Sequence, residues 1–332
     1  MDPQDWNPGT LLGLSGYYWK TCTLHAAVKL DIFTTIADDA MTGKMIAEKI
    51  SADMDALDRL LNALGSLGLL EKKGDTFQNS PMAGRFLRKD SKAYLGFMIL
   101  HHHHLLDSWS HLDQAVLTGK PVRARSSFND ASVREAFLMG MFNNAMLQAP
   151  QLVETIDLSG YRHLLDMGGG PGTYAIHFCL QNPKLKAVVY DLPTTQPFAE
   201  KTISQFSLND RISFMAGDYV TEPMHGEFDV VWMSHILHGE GPDDCQNMIQ
   251  KAAAMLTPGG LLLLHDFILE DTRDGPLFAT LFSMNMLLGT PEGRSYTEKE
   301  LVHMMKGAGL RDIQRSPYGG PTESGILSGK KE

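Results

Sequence analysis

The chain has 332 residues, a formal net charge of -10 and three cysteines, and its length is sufficient for two domains. The negative charge disfavours nucleic acid as a partner, and cysteines this widely separated predict neither disulfides nor structural zinc. No hydrophobic terminal segment approaches the roughly 20 residues that span a bilayer, and the acidic start "MDPQDWNPGT" is unlike a signal peptide. We therefore expect a cytoplasmic protein with no membrane partner.

The pattern of residues 1–90 is that of a winged helix. Apolar residues recur at helical spacing, "TGKMIAEKI" and "SADMDALDRLLNALGSLG" predict two helices, and "LLEKKGDTFQNS" predicts a hairpin that turns at residues 73–75. Such units often read DNA with the second helix, but this helix would present Asp53, Asp55 and Asp58 to the phosphates. The segment "LLGLSGYYWKTCTLHAAVKL" offers more apolar surface than one small domain covers, which predicts a homodimer.

Residues 91–160 predict connecting helices, joined by the link "LTGKPVRARSS". From residue 161 to 332 the short apolar runs "HLLDMG", "KAVVYD", "RISFMAGD", "FDVVWMS" and "GLLLLHDF" alternate with helical stretches. This alternation predicts a parallel, doubly wound sheet, whose ligand lies at the carboxyl ends of the strands.

A run of four histidines, "HHHHLL", lies inside the helical pattern of the connecting segment. His101 and His104 share a helix face and could hold a metal or line a pocket. Because no third ligand stands nearby in the sequence, we expect pocket lining or packing and no metal.

The stretch "LLDMGGGPGTYAIHFCLQNPKLKAVVYDLP" places a glycine-rich turn between a strand and a helix. Gly168 and Gly170 allow the backbone to turn tightly and approach a ligand closely, but G-G-G-P-G is not the G-x-G-x-x-G of dinucleotide sites. Asp166, Asp191 and Asp218 stand at the ends of three successive strands. Three carboxylates suit an adenosine that carries a cationic sulfonium better than a pyrophosphate, which predicts S-adenosylmethionine.

At these motifs the sequence resembles the S-adenosylmethionine-dependent small-molecule O-methyltransferases of the caffeate and hydroxyindole type. The resemblance also covers "SWSHLDQAVLTGKP", "YDLP", "GDYV", "SHILHGEGPDDC", "LTPGGLLLLHDF" and "ESGILSGKK", in this order. It implies an α/β protein in which an N-terminal, mainly helical winged-helix dimerisation domain precedes a Rossmann-like class I methyltransferase sheet. S-adenosylhomocysteine would be the product of the cofactor.

The resemblance also implies catalytic residues. The family's base is the histidine of the I-L-H segment, which falls on His238, and Asp266 would orient it. The second carboxylate of the family falls on Ser295, and the usual aspartate-tryptophan pair after the histidine is replaced by Gly239 and Glu240. These are departures from the family pattern, so the aromatic wall against adenine must come from elsewhere, and Tyr219 is a candidate.

Two further sets of residues complete the predicted site. The predicted cofactor-binding residues are Asp166, Gly168, Gly170, Asp191, Leu192, Asp218, Tyr219, Ser234 and Met141. The predicted acceptor pocket is lined by His101, His104, Phe278, Phe282, Met284 and Asn285. A stripe of phenylalanine and methionine is more often plain core, but the equivalent helices wall the acceptor site in the family.

We therefore predict a dimeric S-adenosylmethionine-dependent methyltransferase. It acts on a hydroxyl of a small planar apolar molecule, and we interpret this hydroxyl as phenolic. One alternative keeps the cofactor and moves the methyl to carbon or nitrogen of a planar ring such as a tetrapyrrole. Another is a non-catalytic winged-helix regulator with a degenerate cofactor fold, against which the acidic second helix counts.

Overall fold

The computed structural model describes residues 6–125, 131–320 and 322–332. The chain forms two compact units that divide after Leu105. We call them the N-terminal and the C-terminal unit, and the predicted boundaries at residues 90 and 160 stay predictions.

The N-terminal unit contains helices and a small antiparallel sheet of strand order β1-β3-β2. Its elements are α1 (Pro8–Ser15), α2 (Tyr18–Lys29), α3 (Ile32–Ile36), β1 (Met41–Thr42), α4 (Gly43–Ile50), α5 (Met54–Ser66), β2 (Leu70–Lys73), β3 (Thr76–Asn79) and α6 (Pro81–Phe86). Helix α7 (Gly96–Trp109) runs across the division between the units.

Local sequence explains the winged-helix part of this unit. Helix α5 begins where the Asp53 carboxylate accepts the amide of Ala56 at 2.9 Å, and it buries leucines at positions 57, 61 and 64, which are one face of a helix. Strands β2 and β3 form the predicted hairpin, closed by the pairing of Lys73 with Thr76. Gly74 adopts φ +58 in this turn, a conformation that favours glycine.

The C-terminal unit is a seven-stranded sheet of order β6-β5-β4-β7-β8-β10-β9 with its helices. Its elements are α8 (Leu112–Thr118), α9 (Ala131–Glu154), β4 (His163–Met167), α10 (Thr173–Gln181), β5 (Lys186–Asp191), α11 (Gln196–Gln205), β6 (Ile212–Ala216), β7 (Phe228–Ser234), α12 (Pro242–Met255), β8 (Leu256–Asp266), α13 (Leu277–Gly289), α14 (Glu298–Gly307), β9 (Leu310–Arg315) and β10 (Gly325–Lys331).

The five predicted apolar runs form strands β4 to β8, which pair in parallel. Successive side chains of β4 enter two different cores: Leu164 packs with α9, α10 and α11, and Leu165 packs with α12 and α14. The sheet is therefore covered on both faces, as the long apolar runs require.

At one side of the sheet the strand directions differ from those of the wholly parallel sheet that the alternation predicts. Strand β10 lies between β8 and β9 and is antiparallel to both. Among the described residues no helix stands between β9 and β10. A short connection of this kind joins antiparallel strands, since a parallel pair needs a longer crossover.

The described residues include neither a helix that could span a membrane nor a cluster of metal ligands. None of the described helices combines the length and the apolar character needed to cross a bilayer. Within the same residues no group of three or more His, Cys, Asp or Glu side chains could hold a metal ion.

Helices α1 and α2 expose large apolar side chains. Leu12 is 72% exposed and Trp19 is 69% exposed. Leu11, Leu14, Tyr17 and Tyr18 are also exposed. A cluster of this size on a single chain is typical of a surface that another protein covers, in agreement with the predicted homodimer.

We expect Leu12→Glu combined with Trp19→Glu to convert the protein from a dimer to a monomer. Two charges at a desolvated interface remove hot-spot contacts that are typically worth about 2 kcal/mol or more each. Light scattering at micromolar concentration measures the mass. Leu117→Glu, at an exposed leucine of the C-terminal unit, is the matched control and should leave the mass unchanged. A wild-type chain that is already monomeric contradicts the prediction.

Candidate active site

The candidate site lies at the carboxyl ends of the parallel strands. Strand β5 ends at Asp191, β7 at Ser234 and β8 at Asp266, while Asp166 is the next-to-last residue of β4. Because these strands are neighbours in the order β5-β4-β7-β8, their ends lie side by side. The sheet thus collects predicted site residues that are far apart in sequence.

The glycine turn after β4 has the predicted conformation and close packing. Gly168 and Gly170 have φ of +70 and +54, which other residues rarely adopt. A Cβ on Gly168 would lie 2.5 Å from Cγ2 of Ile236, whereas a Cβ on Gly170 would meet no atom within 4 Å. The turn is therefore tight on one side and open on the other, as a loop that admits a ligand requires.

Asp191 is held rigidly beside this turn. Its Oδ2 accepts the amide of Gly170 at 2.8 Å, and its Oδ1 accepts the amide of Leu192 at 2.7 Å and the hydroxyl of Thr195 at 3.0 Å. Burial raises the pKa of Asp191, although these three hydrogen bonds oppose the shift. The structure thus brings together three predicted cofactor residues, namely Gly170, Asp191 and Leu192.

Asp166 is completely buried, and only one of its two carboxylate oxygens has a hydrogen bond. Its Oδ2 accepts the amide of Ala175 at 3.2 Å, and its Oδ1 has no partner among the described residues. Burial raises the pKa of Asp166 to about 7, and the nearby charge of Asp191 adds to the shift. An orphaned carboxylate oxygen is costly, and a cation or a water bound to one would satisfy it. The unpaired carboxylate oxygen therefore fits a positively charged adenosine derivative.

Asp218 and Tyr219 follow β6 at the same edge. The Asp218 carboxylate accepts the amide of Val220 and the hydroxyl of Thr221, both at 2.9 Å. The Tyr219 ring reaches the glycine turn, since its Cε1 would lie 3.2 Å from a Cβ on Gly168. An aromatic ring therefore lies beside the turn, and its role as a wall against adenine stays a prediction.

His238 lies in a 3₁₀ turn (Leu237–Gly239) that follows β7. Its Nδ1 is 2.7 Å from Oδ1 of Asp266, and its amide donates to Oδ2 at 3.3 Å. The carboxylate also accepts the amide of Phe267 at 2.8 Å. Because a carboxylate only accepts, Nδ1 carries the proton and Nε2 is left as the acceptor atom. Nε2 has no hydrogen-bond partner in the described part of the chain.

The charge of Asp266 is stabilised inside the protein. Burial acts to raise the pKa of Asp266, but the imidazolium charge and the hydrogen bond of His238 together lower it to about 2. Asp266 is therefore ionised at neutral pH.

Aromatic rings surround His238. Its ring centroid is 4.7 Å from that of Phe282, in an edge-to-face arrangement, and 5.8 Å from that of Phe267. The rings of Phe267 and Phe282 are 4.5 Å apart, and Phe278 stacks on Phe282 at 5.9 Å. Two predicted pocket residues, Phe278 and Phe282, thus belong to one aromatic cluster with the predicted base.

A polar network behind the base was not predicted. The Ser234 hydroxyl lies 2.9 Å from Nδ1 of His235 and 3.0 Å from Nδ1 of His265, and Nε2 of His265 lies 3.0 Å from the Ser324 hydroxyl. Burial lowers the pKa of His235 to about 4 and that of His265 well below its ordinary value, so both rings are neutral at pH 7. The signal in the sequence is a histidine next to each of two strand ends, in "MSHILH" and "LLLLHDF".

The two departures from the family pattern have structural counterparts. The Ser295 hydroxyl is buried and donates to the carbonyl of Ala279 at 2.9 Å. Its hydrogen is therefore used in a bond inside the core. Glu240 forms a buried ion pair with Arg125, whose Nη2 is 2.9 Å from Oε2 of Glu240 and 2.6 Å from the carbonyl of Gly239. Sequence reasoning missed Arg125, because it comes from the distant link "LTGKPVRARSS".

The remaining predicted residues are placed as follows. Asn285 is buried and Met284 is half-buried on α13, and Met141 is half-buried on α9. His101 is buried and His104 is half-buried on α7, in the N-terminal unit. The roles of these residues, and of Ser234 toward a cofactor, stay predictions.

Comparison with known proteins identifies the family. The O-methyltransferase domain matches residues 109–311, and the O-methyltransferase dimerisation domain matches residues 12–89. The second match supports the predicted homodimer.

Individual relatives cover nearly the whole chain. The 3-hydroxy-5-methyl-1-naphthoate 3-O-methyltransferase of Streptomyces sahachiroi is 31% identical over 99% of this chain and 97% of its own. The tetracenomycin polyketide synthesis 8-O-methyl transferase of Streptomyces glaucescens is 32% identical over 95% of this chain and 94% of its own. An O-methyltransferase family protein of Burkholderia thailandensis, a solved structure, superimposes with a TM-score of 0.89 at 28% identity and covers 99% of both chains.

These findings confirm the predicted fold class, and they exclude the alternative of a non-catalytic regulator. The predicted transfer of a methyl to a hydroxyl of a small molecule is confirmed over transfer to carbon or nitrogen, and the predicted cofactor is confirmed as S-adenosylmethionine. The chain belongs to the O-methyltransferase family, with an N-terminal dimerisation domain and a class I S-adenosylmethionine-dependent catalytic domain.

Proposed function

We propose that the chain methylates a phenolic hydroxyl on a fused-ring aromatic acceptor, with His238 as the general base and Asp266 as the residue that positions it. The observation that carries this proposal is the 2.7 Å contact between Nδ1 of His238 and Oδ1 of Asp266. A carboxylate at Nδ1 fixes the tautomer whose Nε2 can take a proton.

The base is needed because a phenol with a pKa near 10 is a poor nucleophile at neutral pH. Nε2 of His238 takes the hydroxyl proton while the oxygen forms its new bond to carbon, and the Asp266 carboxylate stabilises the imidazolium that results. When bound, S-adenosylmethionine would supply an electrophilic methyl on a cationic sulfonium, whose sulfur keeps the electron pair of the broken S–C bond and leaves as neutral S-adenosylhomocysteine. The rings of Phe267 and Phe282 limit the access of water to the imidazole and orient it.

Residues at the strand ends would hold the cofactor. We assign the ribose hydroxyls to Asp191, because it is fixed by Gly170 and Leu192 beside the open side of the turn. The orphaned oxygen of Asp166 suits the cationic part of the molecule. We assign adenine to Asp218 and Tyr219, which follow β6 at the same edge of the sheet. Ser234 and Met141 complete the predicted set.

The aromatic cluster supports a planar acceptor. Phe267, Phe278 and Phe282 offer ring surfaces, and each aromatic pair is worth about 0.5–1.5 kcal/mol beyond its area. The two Streptomyces relatives are named for a naphthoate and a polyketide. We propose that the acceptor of this chain is likewise a fused-ring aromatic compound that carries a hydroxyl group. Met284 and Asn285 on α13 are the further pocket residues of this proposal.

We also propose that the dimer works in the cytoplasm, with a small acceptor and without nucleic acid or membrane. The net charge of -10 supports this. The acidic residues Asp53, Asp55 and Asp58 lie at the start of the helix that would otherwise face DNA, where they would repel phosphates.

We expect His238→Gln to lower turnover by a factor of about 10² to 10⁴ and to leave the affinity for S-adenosylhomocysteine unchanged. Glutamine keeps the volume but cannot take the proton. The loss should shrink for phenols that are already ionised. Single-turnover methylation across phenols of graded acidity measures this, and His163→Gln, at the opposite end of β4, is the control. Wild-type turnover of the variant on the least acidic phenol would refute the base role.

We expect Asp191→Asn to weaken the binding of S-adenosylhomocysteine more than about tenfold, since charged hydrogen bonds to the ribose are worth about 2 kcal/mol. Calorimetry measures the affinity. Asp210→Asn, just before β6 at the other end of the sheet, should bind like the wild type. An unchanged affinity of Asp191→Asn, in a variant that melts like the wild type, would remove this carboxylate from the cofactor site.

The low pKa of Asp266 makes stability depend on pH. The folded-state pKa of about 2 lies below the ordinary 3.8, so this stabilisation is complete above pH 5 and is lost as the pH falls through 3 toward 2. Between pH 5 and 3 the wild type should lose about 1 kcal/mol more unfolding free energy than Asp266→Asn. Urea titrations at both pH values measure the difference, with Asp75→Asn as an exposed control. Equal losses in wild type and Asp266→Asn would contradict the prediction.

A further inference from the structure

Arg123 is fixed against the end of the helix that carries the aromatic cluster. The amides of Val122 and Arg123 both donate to the carbonyl of Leu288, at 3.0 and 3.2 Å. A Cβ on Gly289 would lie 2.5 Å from Cζ of Arg123, so the guanidinium rests directly on the backbone of α13. The absence of a side chain at position 289 makes the room for it.

The guanidinium has only neutral and long contacts. Its Nη2 lies 3.4 Å from the carbonyl and 3.3 Å from Oδ1 of Asn285, and its Nη1 lies 3.3 Å from the carbonyl of Ala124. Nε is buried and has no partner in the described ranges. Charge-assisted hydrogen bonds are normally about 2.7–2.9 Å. Within residues 6–125, 131–320 and 322–332 no carboxylate forms an ion pair with this side chain.

Arg125, two residues later, is by contrast paired with a carboxylate. Its bidentate contact with Glu240 raises the pKa of Arg125, whereas burial lowers that of Arg123. Buried charges are normally paired, because an isolated charge in a protein interior is costly. Arg123 is thus a partly buried cation whose counter-ion is not among the described residues.

The position of Arg123 connects it with the predicted base. Phe282, Asn285 and Gly289 share one face of α13 by their spacing of three and four residues. Phe282 contacts the His238 ring at 4.7 Å, and Asn285 and Gly289 contact Arg123. At 1.5 Å per residue, the guanidinium lies about 5 to 10 Å further along the helix axis. The distance is of the order of a small aromatic molecule.

We propose that Arg123 binds a carboxylate on the acceptor, so that the acceptor is a hydroxylated aromatic acid whose hydroxyl lies at His238 and whose acid group lies at Arg123. The inference rests on the proposed function of His238. At least one N–H of Nη1 remains for a ligand, because Nη1 carries two and makes one contact. A neutral analogue would leave the guanidinium unpaired, so charge pairing gives specificity as well as affinity.

The test compares each of two acids with its own uncharged carboxamide. The acids are 3-hydroxybenzoate and 3-hydroxy-1-naphthoate, and binding to the dimer loaded with S-adenosylhomocysteine is measured by calorimetry. In the wild type at least one acid should bind about 10- to 100-fold more tightly than its amide, as a charge-assisted contact predicts. In Arg123→Gln this preference should disappear while the affinity for the amide is kept.

A second variant leaves the arginine in place. Asn285→Asp would supply a counter-ion within the protein, so it should remove the preference for the acid even if Arg123→Gln fails to fold. Lys120→Gln removes an exposed positive charge from the same link and should keep the preference. Equal affinities for acid and amide in the wild type at both ring sizes would overturn the proposal, as would a preference for the acid that Asn285→Asp keeps in full.

Methylation of the same probes, followed by mass spectrometry, tests the proposed function separately. If the wild type prefers the acids in binding but methylates no hydroxyl, the anion site stands and the proposed function fails. If it methylates acid and amide with equal kcat/KM and binds them equally, the proposed function stands and Arg123 has no role in recognition.

Discussion

The hydrogen bond between His238 and Asp266 is the interaction on which the chemistry of this site depends. It exists because β7 and β8 are neighbours in parallel register, so the turn after one strand faces the last residue of the other. The carboxylate is buried, which would normally raise its pKa, and it stays ionised because the imidazole and the Phe267 amide both donate to it. The rings of Phe267 and Phe282 pack against the imidazole of this pair.

Charge is distributed unevenly along this edge of the sheet. On the glycine-turn side, burial raises the pKa of Asp166 and Asp191, and a cationic cofactor beside these two carboxyl groups would favour their ionised forms. On the side of α13, Arg123 adds a positive charge that the described residues do not neutralise. Arg125 and Glu240 form an ion pair with each other, so they add little net charge. A site that binds a cationic cofactor beside an anionic acceptor benefits from such a separation of charge, because each ligand then meets the opposite charge.

Position 295 departs from the pattern that the resemblance implies. Ser295 replaces a carboxylate, and its hydroxyl binds a backbone carbonyl inside the core, so no second acid is supplied from this position. The neutral imidazoles of His235 and His265, joined through the Ser234 hydroxyl, fill the space behind the base with satisfied polar groups. His235 adopts φ +56, a conformation that costs energy outside glycine and that persists at sites where the surroundings enforce it.

Local sequence by itself determined the elements and the cofactor edge of this protein. The glycine turn with Asp166, Asp191 and Asp218, the winged-helix hairpin and strands β4 to β8 all follow from patterns within a few residues, because periodicity and turn chemistry are local. The resemblance added His238 and Asp266. Only the tertiary structure decided that β10 enters the sheet between β8 and β9, that Arg125 pairs with Glu240, and that the guanidinium of Arg123 rests on Gly289. These contacts join segments more than a hundred residues apart or depend on strand order, and packing between distant segments is what local patterns do not encode.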